Sequence, residues 1–224
     1  MDRSEHQVAR SATVVVDRTL GGVSAALSGL WHPARNATVG VSIMRSLRVP
    51  GIEELFSEGP HLAAYSFEVG NPELGLESGL GAELFARYES RRASGSVAVY
   101  RYGFDNYIFP RNTGEVNYRI WLPIYQFTGA DARMMGAEAS GTLRLLRRVT
   151  VEARGSYVRG TLVDMDQPLP WMPPLQGTLG LSYRRGSLSV GASLRGASAQ
   201  VTGGGTEPPL RVRRTDTEQR RGGT

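Results

Sequence analysis

The chain has no cysteine and no lysine among its 224 residues, and only three histidines. Without cysteine no disulfide contributes to the fold, an absence that suits the oxidising side of a bacterial envelope and equally any protein that needs no cross-links. All 26 basic residues are therefore arginine, a bias that a GC-rich genome explains more cheaply than any binding chemistry. Long apolar runs are missing as well. None approaches the ~18 residues that a spanning helix requires, so any membrane insertion must use strands whose backbone groups pair with one another. The mean hydropathy of −0.26 has the look of a soluble protein for that reason alone. A positive n-region and apolar stretch are missing from the opening Met1-Asp2-Arg3-Ser4-Glu5-His6, so either the chain is not exported or its true start lies upstream.

What is present is alternation. From Pro174 to Ala199, Leu175, Leu179, Leu181 and Tyr183 share one face with Gly177, while Gln176, Thr178, Gly180, Ser182 and Arg184 share the other. After a turn at Arg185-Gly186 the period of two resumes, with Leu188, Val190, Ala192 and Leu194 apolar. The same pattern recurs in Val23 to Trp31 with Val39 to Ile43, in Leu80 to Tyr88 with Ala98, Tyr100, Tyr102 and Phe104, and in Ala137 to Leu145 with Val149 to Tyr157. Eight strands in four hairpins are predicted. Tight turns fall at Pro33 to Asn36, Ser90 to Ala93, Arg147-Arg148 and Arg185-Gly186, and long connections run from 47 to 77, 109 to 123 and 161 to 173. Short turns on one side and long loops on the other are the asymmetry of an antiparallel transmembrane β-barrel, with the short turns periplasmic and the long loops extracellular.

The side chains fit that orientation. Trp31, Tyr88 and Tyr183 precede tight turns on the apolar face, where a periplasmic aromatic girdle lies, and Tyr102, Tyr107, Tyr157 and Trp171 fall toward the outer rim. The polar face is expected to carry Glu83, Arg87, Glu89, Arg101, Glu138, Arg144, Glu152 and Arg154. Near the midplane of the lipid face each arginine would cost about 2 to 4 kcal/mol. Leu30, Phe85, Val97 and Val99 point inward in this register, so a slip or bulge is expected in at least one strand.

Catalytic chemistry finds little support. His6, His32 and His61 are the available imidazoles, and none has a recognisable serine partner, so no catalytic residue is assigned and the chain reads as a non-enzyme. Glu53-Glu54 reads as loop packing rather than a carboxylate pair. Asp164 and Asp166, even with His61, read as solvated acids rather than metal ligands. Gly203-Gly204-Gly205 lacks the lysine of a phosphate loop. No cofactor and no nucleic-acid partner is expected. The arginines at turns and in the tail, Arg211, Arg213, Arg214, Arg220 and Arg221 among them, are explained by solubility and composition.

Four stretches carry a family resemblance. Ser46-Leu47-Arg48-Val49-Pro50-Gly51-Ile52-Glu53-Glu54-Leu55-Phe56-Ser57-Glu58-Gly59-Pro60-His61 resembles a loop motif of TonB-dependent outer-membrane receptors in which arginine and proline precede Glu-Leu-Phe. Phe67-Glu68-Val69-Gly70-Asn71-Pro72-Glu73-Leu74 resembles their E-x-G-N-P-x-L stretch, with Glu77 and Ser78 at strand re-entry. Tyr100 to Ile108 resembles an aromatic strand ending in D-Y-I, and Ala130 to Glu138 an A-x-x-x-G-x-E strand. The resemblance covers roughly residues 20 to 200. It implies an outer-membrane receptor of about 22 strands with a plugged lumen, which imports a scarce nutrient such as a siderophore or metal with energy from the TonB protein; its partners are outer-membrane lipid, the plug domain, TonB and an unknown nutrient.

On this reading residues 1–20 are an extension or remnant of a preceding strand, 21–200 form the C-terminal portion of the receptor barrel, and 201–224 form a disordered Arg/Gly-rich tail. A frameshift near residues 200 to 206 would account for the tail, and resequencing that finds it in frame would sink the idea. The eight strands alone are expected neither to transport nor to close. Two alternatives stay open: a small autonomous structural or adhesive outer-membrane barrel, and a soluble β-rich binding protein.

Overall fold

A computed structural model describes residues 19–199. The β-prone run Thr13 to Val16 and the tail 201–224 lie outside the described residues. In chain order the elements are β1 (Ala25–Ala34), β2 (Ala37–Arg48), α1 (Ile52–Phe56), β3 (Glu58–His61), β4 (Ser66–Val69), β5 (Glu77–Glu89), β6 (Ala93–Asn117), β7 (Leu122–Leu146), β8 (Val149–Leu162), β9 (Gln167–Pro168), β10 (Gln176–Arg185) and β11 (Leu188–Ala197). The sheet runs β1-β2-β5-β6-β7-β8-β10-β11, so all four expected hairpins form, each beside the next. Among the described residues β1 and β11 end the path, and the sheet is open.

The turns show why the hairpins form where they do. Ser90 holds its turn with a backbone bond from its N–H to the Ala93 carbonyl (2.7 Å) and a bond from the Ala93 N–H to its own hydroxyl (3.1 Å). The last hairpin closes on the pair Arg185 and Leu188, which leaves Gly186-Ser187 as a two-residue loop, one position along from the turn expected at Arg185-Gly186. Gly186 has φ 58°, the left-handed conformation that a twisted two-residue hairpin needs and that glycine adopts without steric cost.

The chain divides into two compact units. The first holds most of the long strands: residues 25–46, 79–105 and 130–199 among those described. Its apolar face is exposed, with Leu27 at 77%, Leu80 at 63% and Leu194 at 71%. A sheet face this apolar and this uncovered requires a non-aqueous neighbour. Cross-strand pairs keep the two faces apart: Leu179 lies between Ala153 and Leu194, and Thr178 between Arg154 and Arg195. Trp31, Tyr88 and Tyr183 lie on the apolar face as expected, since Trp31 faces Val39 and Tyr183 faces Val149 and Val190.

One strand reverses the expectation. Gly81 packs under the Tyr102 ring, Gly79 under Phe104 and Gly136 under Tyr100, and Ser96 bonds the Ser140 hydroxyl at 2.9 Å. Ala98, Tyr100, Tyr102 and Phe104 therefore share the polar face with Glu138. Val97, Val99 and Arg101 share the apolar face, and Arg101 leaves the polar set to which alternation assigns it. Tyr102 accordingly does not point outward at the rim. The physical reason is that three aromatic rings cover glycines of neighbouring strands, filling the gaps that missing side chains leave. The ring centroids of Tyr100 and Tyr102 stand 5.7 Å apart, and those of Tyr102 and Phe104 6.2 Å. Leu30 and Phe85 do point inward, meeting over Gly40.

The second unit comprises residues 19–24, 47–78 and 106–129 among those described. Here the expected irregular connections are structured. α1, β3 and β4 occupy the first, and the second shrinks: β6 runs to Asn117 and β7 begins at Leu122, leaving only 118–121 where a loop of 109 to 123 is expected. Backbone pairing simply continues past the end of the apolar pattern. The third connection, which belongs to the sheet unit, carries the two-residue β9, which pairs with the end of β8.

Candidate functional site

The second unit is organised by one arginine. Arg48 closes β2, and Pro50 two residues on cannot continue a strand ladder. The guanidinium donates from Nη1 to both carboxylate oxygens of Glu54 (2.9 and 2.8 Å) and from Nη2 to Glu77 Oε2 (2.8 Å). Glu77 is buried at 9% exposure, and the same oxygen also accepts the Ile108 backbone N–H at 2.9 Å. The hydrogen bond to Glu77 pushes the guanidinium further above its already high ordinary value, against the opposing effect of burial, and the bond to Glu54 and the charges of both carboxylates add to it. Glu54 in turn accepts the Gly51 N–H at 2.7 Å, satisfying a free donor at the start of the one-turn α1.

That turn seats the returning chain. The Asn71 N–H bonds the Glu54 carbonyl (2.8 Å) and the Gly70 N–H bonds the Ser57 carbonyl (2.7 Å). A Cβ on Gly70 would stand 2.5 Å from the backbone of Leu55 and Phe56, so only glycine allows this approach. Leu74, Ile108, Phe109 and Leu122 are buried and give the unit its own apolar core. Tyr107 is pushed above the usual phenol range, first by burial and then by the charge of Glu77.

Exposed aromatic groups lie at the turns of this unit. Tyr65 (70% exposed) and Trp121 (70%) both hold left-handed φ, 53° and 56°, a strained conformation for bulky residues that concentrates at functional sites. β4 pairs parallel with β7, Phe67 opposite Ile124, which carries Tyr65 and Trp121 to the same end of the pair. Tyr118 meets Trp121 edge-on at 5.8 Å. His61 Nδ1 lies 2.7 Å from Glu68 Oε1 across the β3–β4 hairpin.

The sheet unit has a polar hollow on the face opposite its apolar one. Ser96, Glu138, Ser140, Arg154, Gln176 and Arg195 are among its lining residues, and Arg195 donates to Gln176 at 3.0 Å. It holds hydroxyls, an amide and charge of both signs.

Other residues singled out in the sequence fall as follows. His32 Nδ1 contacts the Thr38 hydroxyl at 3.0 Å beside a tight turn, and His6 lies outside the described residues. Glu53 and Glu54 part company: Glu54 serves Arg48, while Glu53 is exposed on α1 and caps its end through its carbonyl, bonded by the Ser57 N–H at 3.0 Å. Asp164 and Asp166 are exposed in the connection before β9. Among the described residues no group of three acidic, histidine or cysteine side chains is placed to hold a metal. Sequence reasoning missed the Arg48 to Glu77 pairing, although both residues stand inside motifs it had singled out.

The family profile described as TonB dependent receptor-like, beta-barrel, matches residues 2–218. The chain belongs to the TonB-dependent receptor-like β-barrel family. Its fold is similar to that of several solved TonB-dependent receptors. The copper transporter OprC matches with a TM-score of 0.67 at 23% identity, over 77% of this chain and 25% of that one. The ferric enterobactin receptor PfeA of Pseudomonas aeruginosa, solved with enterobactin, matches at 0.60 and 19%, over 77% and 27%. The siderophore receptor PirA of the same organism matches at 0.56 and 16%, over 77% and 30%. The chain thus spans between a quarter and a third of the length of these structures. As a TonB-dependent receptor barrel it is an outer-membrane protein, and its exposed apolar face is the lipid face of a β-barrel wall.

Proposed function

We propose that the chain forms part of the wall of a receptor that captures a scarce nutrient, a siderophore or a metal complex, at the cell surface and passes it inward with energy from TonB past a plug domain. The observation that carries this reading is the folded second unit. Arg48, Glu54 and Glu77 fasten it, and it presents Tyr65, Tyr118 and Trp121 to solvent. A lipid-embedded wall needs no such structure, whereas a receptor needs rigid, exposed groups that meet a ligand. Flat aromatic surfaces suit a ligand with an apolar or aromatic shell. The two sheet edges, β1 and β11, pair with further strands in the working barrel, since an unpaired edge in lipid costs several kcal/mol per unsatisfied group.

The test is growth. A strain lacking the gene is compared with its parent on media limited in iron or copper, each supplemented with one siderophore or complex at a time. The proposal expects a defect on one nutrient, restored by the intact gene and weakened by a Tyr118→Ala, Trp121→Ala double variant. Equal growth on every supplement would contradict it.

A further inference from the structure

The tight turns carry charge that the receptor reading does not use. Arg35 stands in the first, Arg91 and Arg92 in the second, Arg147 and Arg148 in the third, and Arg184 and Arg185 lead into the fourth. The long connections differ. Residues 47–77, 109–123 and 161–173 hold only Arg48, Arg111 and Arg119, against acids that include Glu53, Glu58, Asp164 and Asp166. A compositional preference for arginine would supply both ends of the strands alike, so the sorting belongs to the turns.

The sheet draws these turns into one rim. The four hairpins lie side by side, and backbone bonds join each to the next at this end: the Glu89 N–H to the Asn36 carbonyl (2.9 Å), the Arg144 N–H to the Arg92 carbonyl (2.7 Å) and the Arg184 N–H to the Arg148 carbonyl (2.8 Å). Neighbouring strands are about 4.8 Å apart, so successive turns follow one another at about 10 Å. Arg144 joins the rim, its Nη1 donating to the Arg91 carbonyl at 3.3 Å. These arginines are all exposed, and among the described residues none has a carboxylate within ion-pairing distance. Glu89 is the one acid next to a turn. Cations placed so closely repel one another unless an anion joins them.

Short turns of a receptor barrel face the periplasm, where the anions within reach are lipid phosphates and the carboxylates of cell-wall peptides. Placement favours the second. Arg144 and Arg184 lie on the polar face, opposite Thr150 and Ser189, and so turn away from lipid. Arg35, Arg91 and Arg147 stand at the turns, past the girdle of Trp31, Tyr88 and Tyr183. Arg185, at the last pair of its hairpin, continues the apolar face. We propose that this rim docks peptidoglycan, its guanidinium forks pairing with the free carboxylates of the stem peptides. Single exposed ion pairs are weak, but a row of cations at regular spacing suits a polymer that repeats its anions, because the pairs act together.

The test is co-sedimentation of the full chain, in micelles of a neutral detergent, with purified peptidoglycan sacculi. The rim predicts retention at least about tenfold stronger on native sacculi than on sacculi whose carboxylates have been amidated. Retention on native sacculi falls by a similar factor in R91Q/R92Q/R147Q/R148Q and is unchanged in R45Q/R101Q/R133Q/R159Q, which removes the same charge from strand positions away from the turns. Phosphatidylglycerol added to the micelles, matched to the carboxylate present, leaves it in place. Equal retention on amidated sacculi, or none on native ones, would overturn the proposal. So would full retention of the turn variant, equal loss in the strand variant, or release by phosphatidylglycerol, which would assign the rim to inner-leaflet lipid.

Discussion

The two units of this chain are held together in opposite ways. The sheet unit exposes its large apolar side chains along one face, and its few buried apolar residues include Ala132, Leu162 and Leu169. Its order rests on backbone ladders and on a lipid partner that burial in water cannot replace. The second unit is built like a small water-soluble domain, with Leu74, Ile108, Phe109 and Leu122 buried and a charged network closed on Glu77. The comparison teaches that one chain holds a unit that exposes its apolar side chains and a unit that buries them, and that the rule for reading a residue differs between the two.

Placing charge on the two faces of β6 breaks the comparison most sharply. Val99→Arg is expected to destabilise the membrane-inserted chain by about 2 to 4 kcal/mol, whereas Tyr100→Arg, on the opposite face, loses ring packing but no lipid contact and costs clearly less. Denaturant titration in lipid vesicles measures both. Leu181→Arg against Ser182→Arg repeats the contrast on β10.

In the second unit the largest effect comes from Arg48. Arg48→Ala leaves Glu77 buried without its cation. Breaking such a pair costs about 3 to 5 kcal/mol when dry, and we expect about 2 to 3 kcal/mol because Arg48 is partly solvated. Faster hydrogen exchange at the Ile108 amide, with unchanged exchange in β10 and β11, is the signature. Gly70→Ala forces the backbone of Leu55 and Phe56 to move and is expected to cost about 1 to 3 kcal/mol, read as increased proteolysis within residues 49–76.

The smallest effect is a pH dependence. Burial raises Tyr107 above the usual phenol value in the folded state. Its contribution to stability is therefore complete below a pH of about 10 and is lost as pH rises from there through the folded value. Tyr107→Phe should flatten the alkaline limb of the second unit's stability curve. Arg48 stays charged across that range, since its value lies higher still.

Alternation alone located all four hairpins, because a period of two in lipid admits one orientation wherever one face is purely apolar, as in β10 and β11. It failed on β6, where Tyr100, Tyr102 and Phe104 are apolar but pack over Gly136, Gly81 and Gly79 on the polar face. That cue is readable only when cross-strand neighbours are known. The second unit was legible as motif and not as geometry. Arg48 and Glu77 stand 29 residues apart, and nothing in local periodicity ties them. The end of the apolar pattern also misplaced the β6–β7 loop, because water permits backbone pairing to continue where lipid no longer requires it.

The most direct test of the account is a nitroxide scan of residues 97 to 102 in the full chain inserted into lipid vesicles. The absence of cysteine means that each labelling site can be introduced singly. Dissolved oxygen concentrates in the bilayer and a polar nickel complex stays in water, so their relative broadening reports which face a label occupies. The account predicts high oxygen access at positions 97, 99 and 101 and low access at 98, 100 and 102. The reverse alternation would contradict the assigned faces, and no alternation would contradict a membrane-spanning strand.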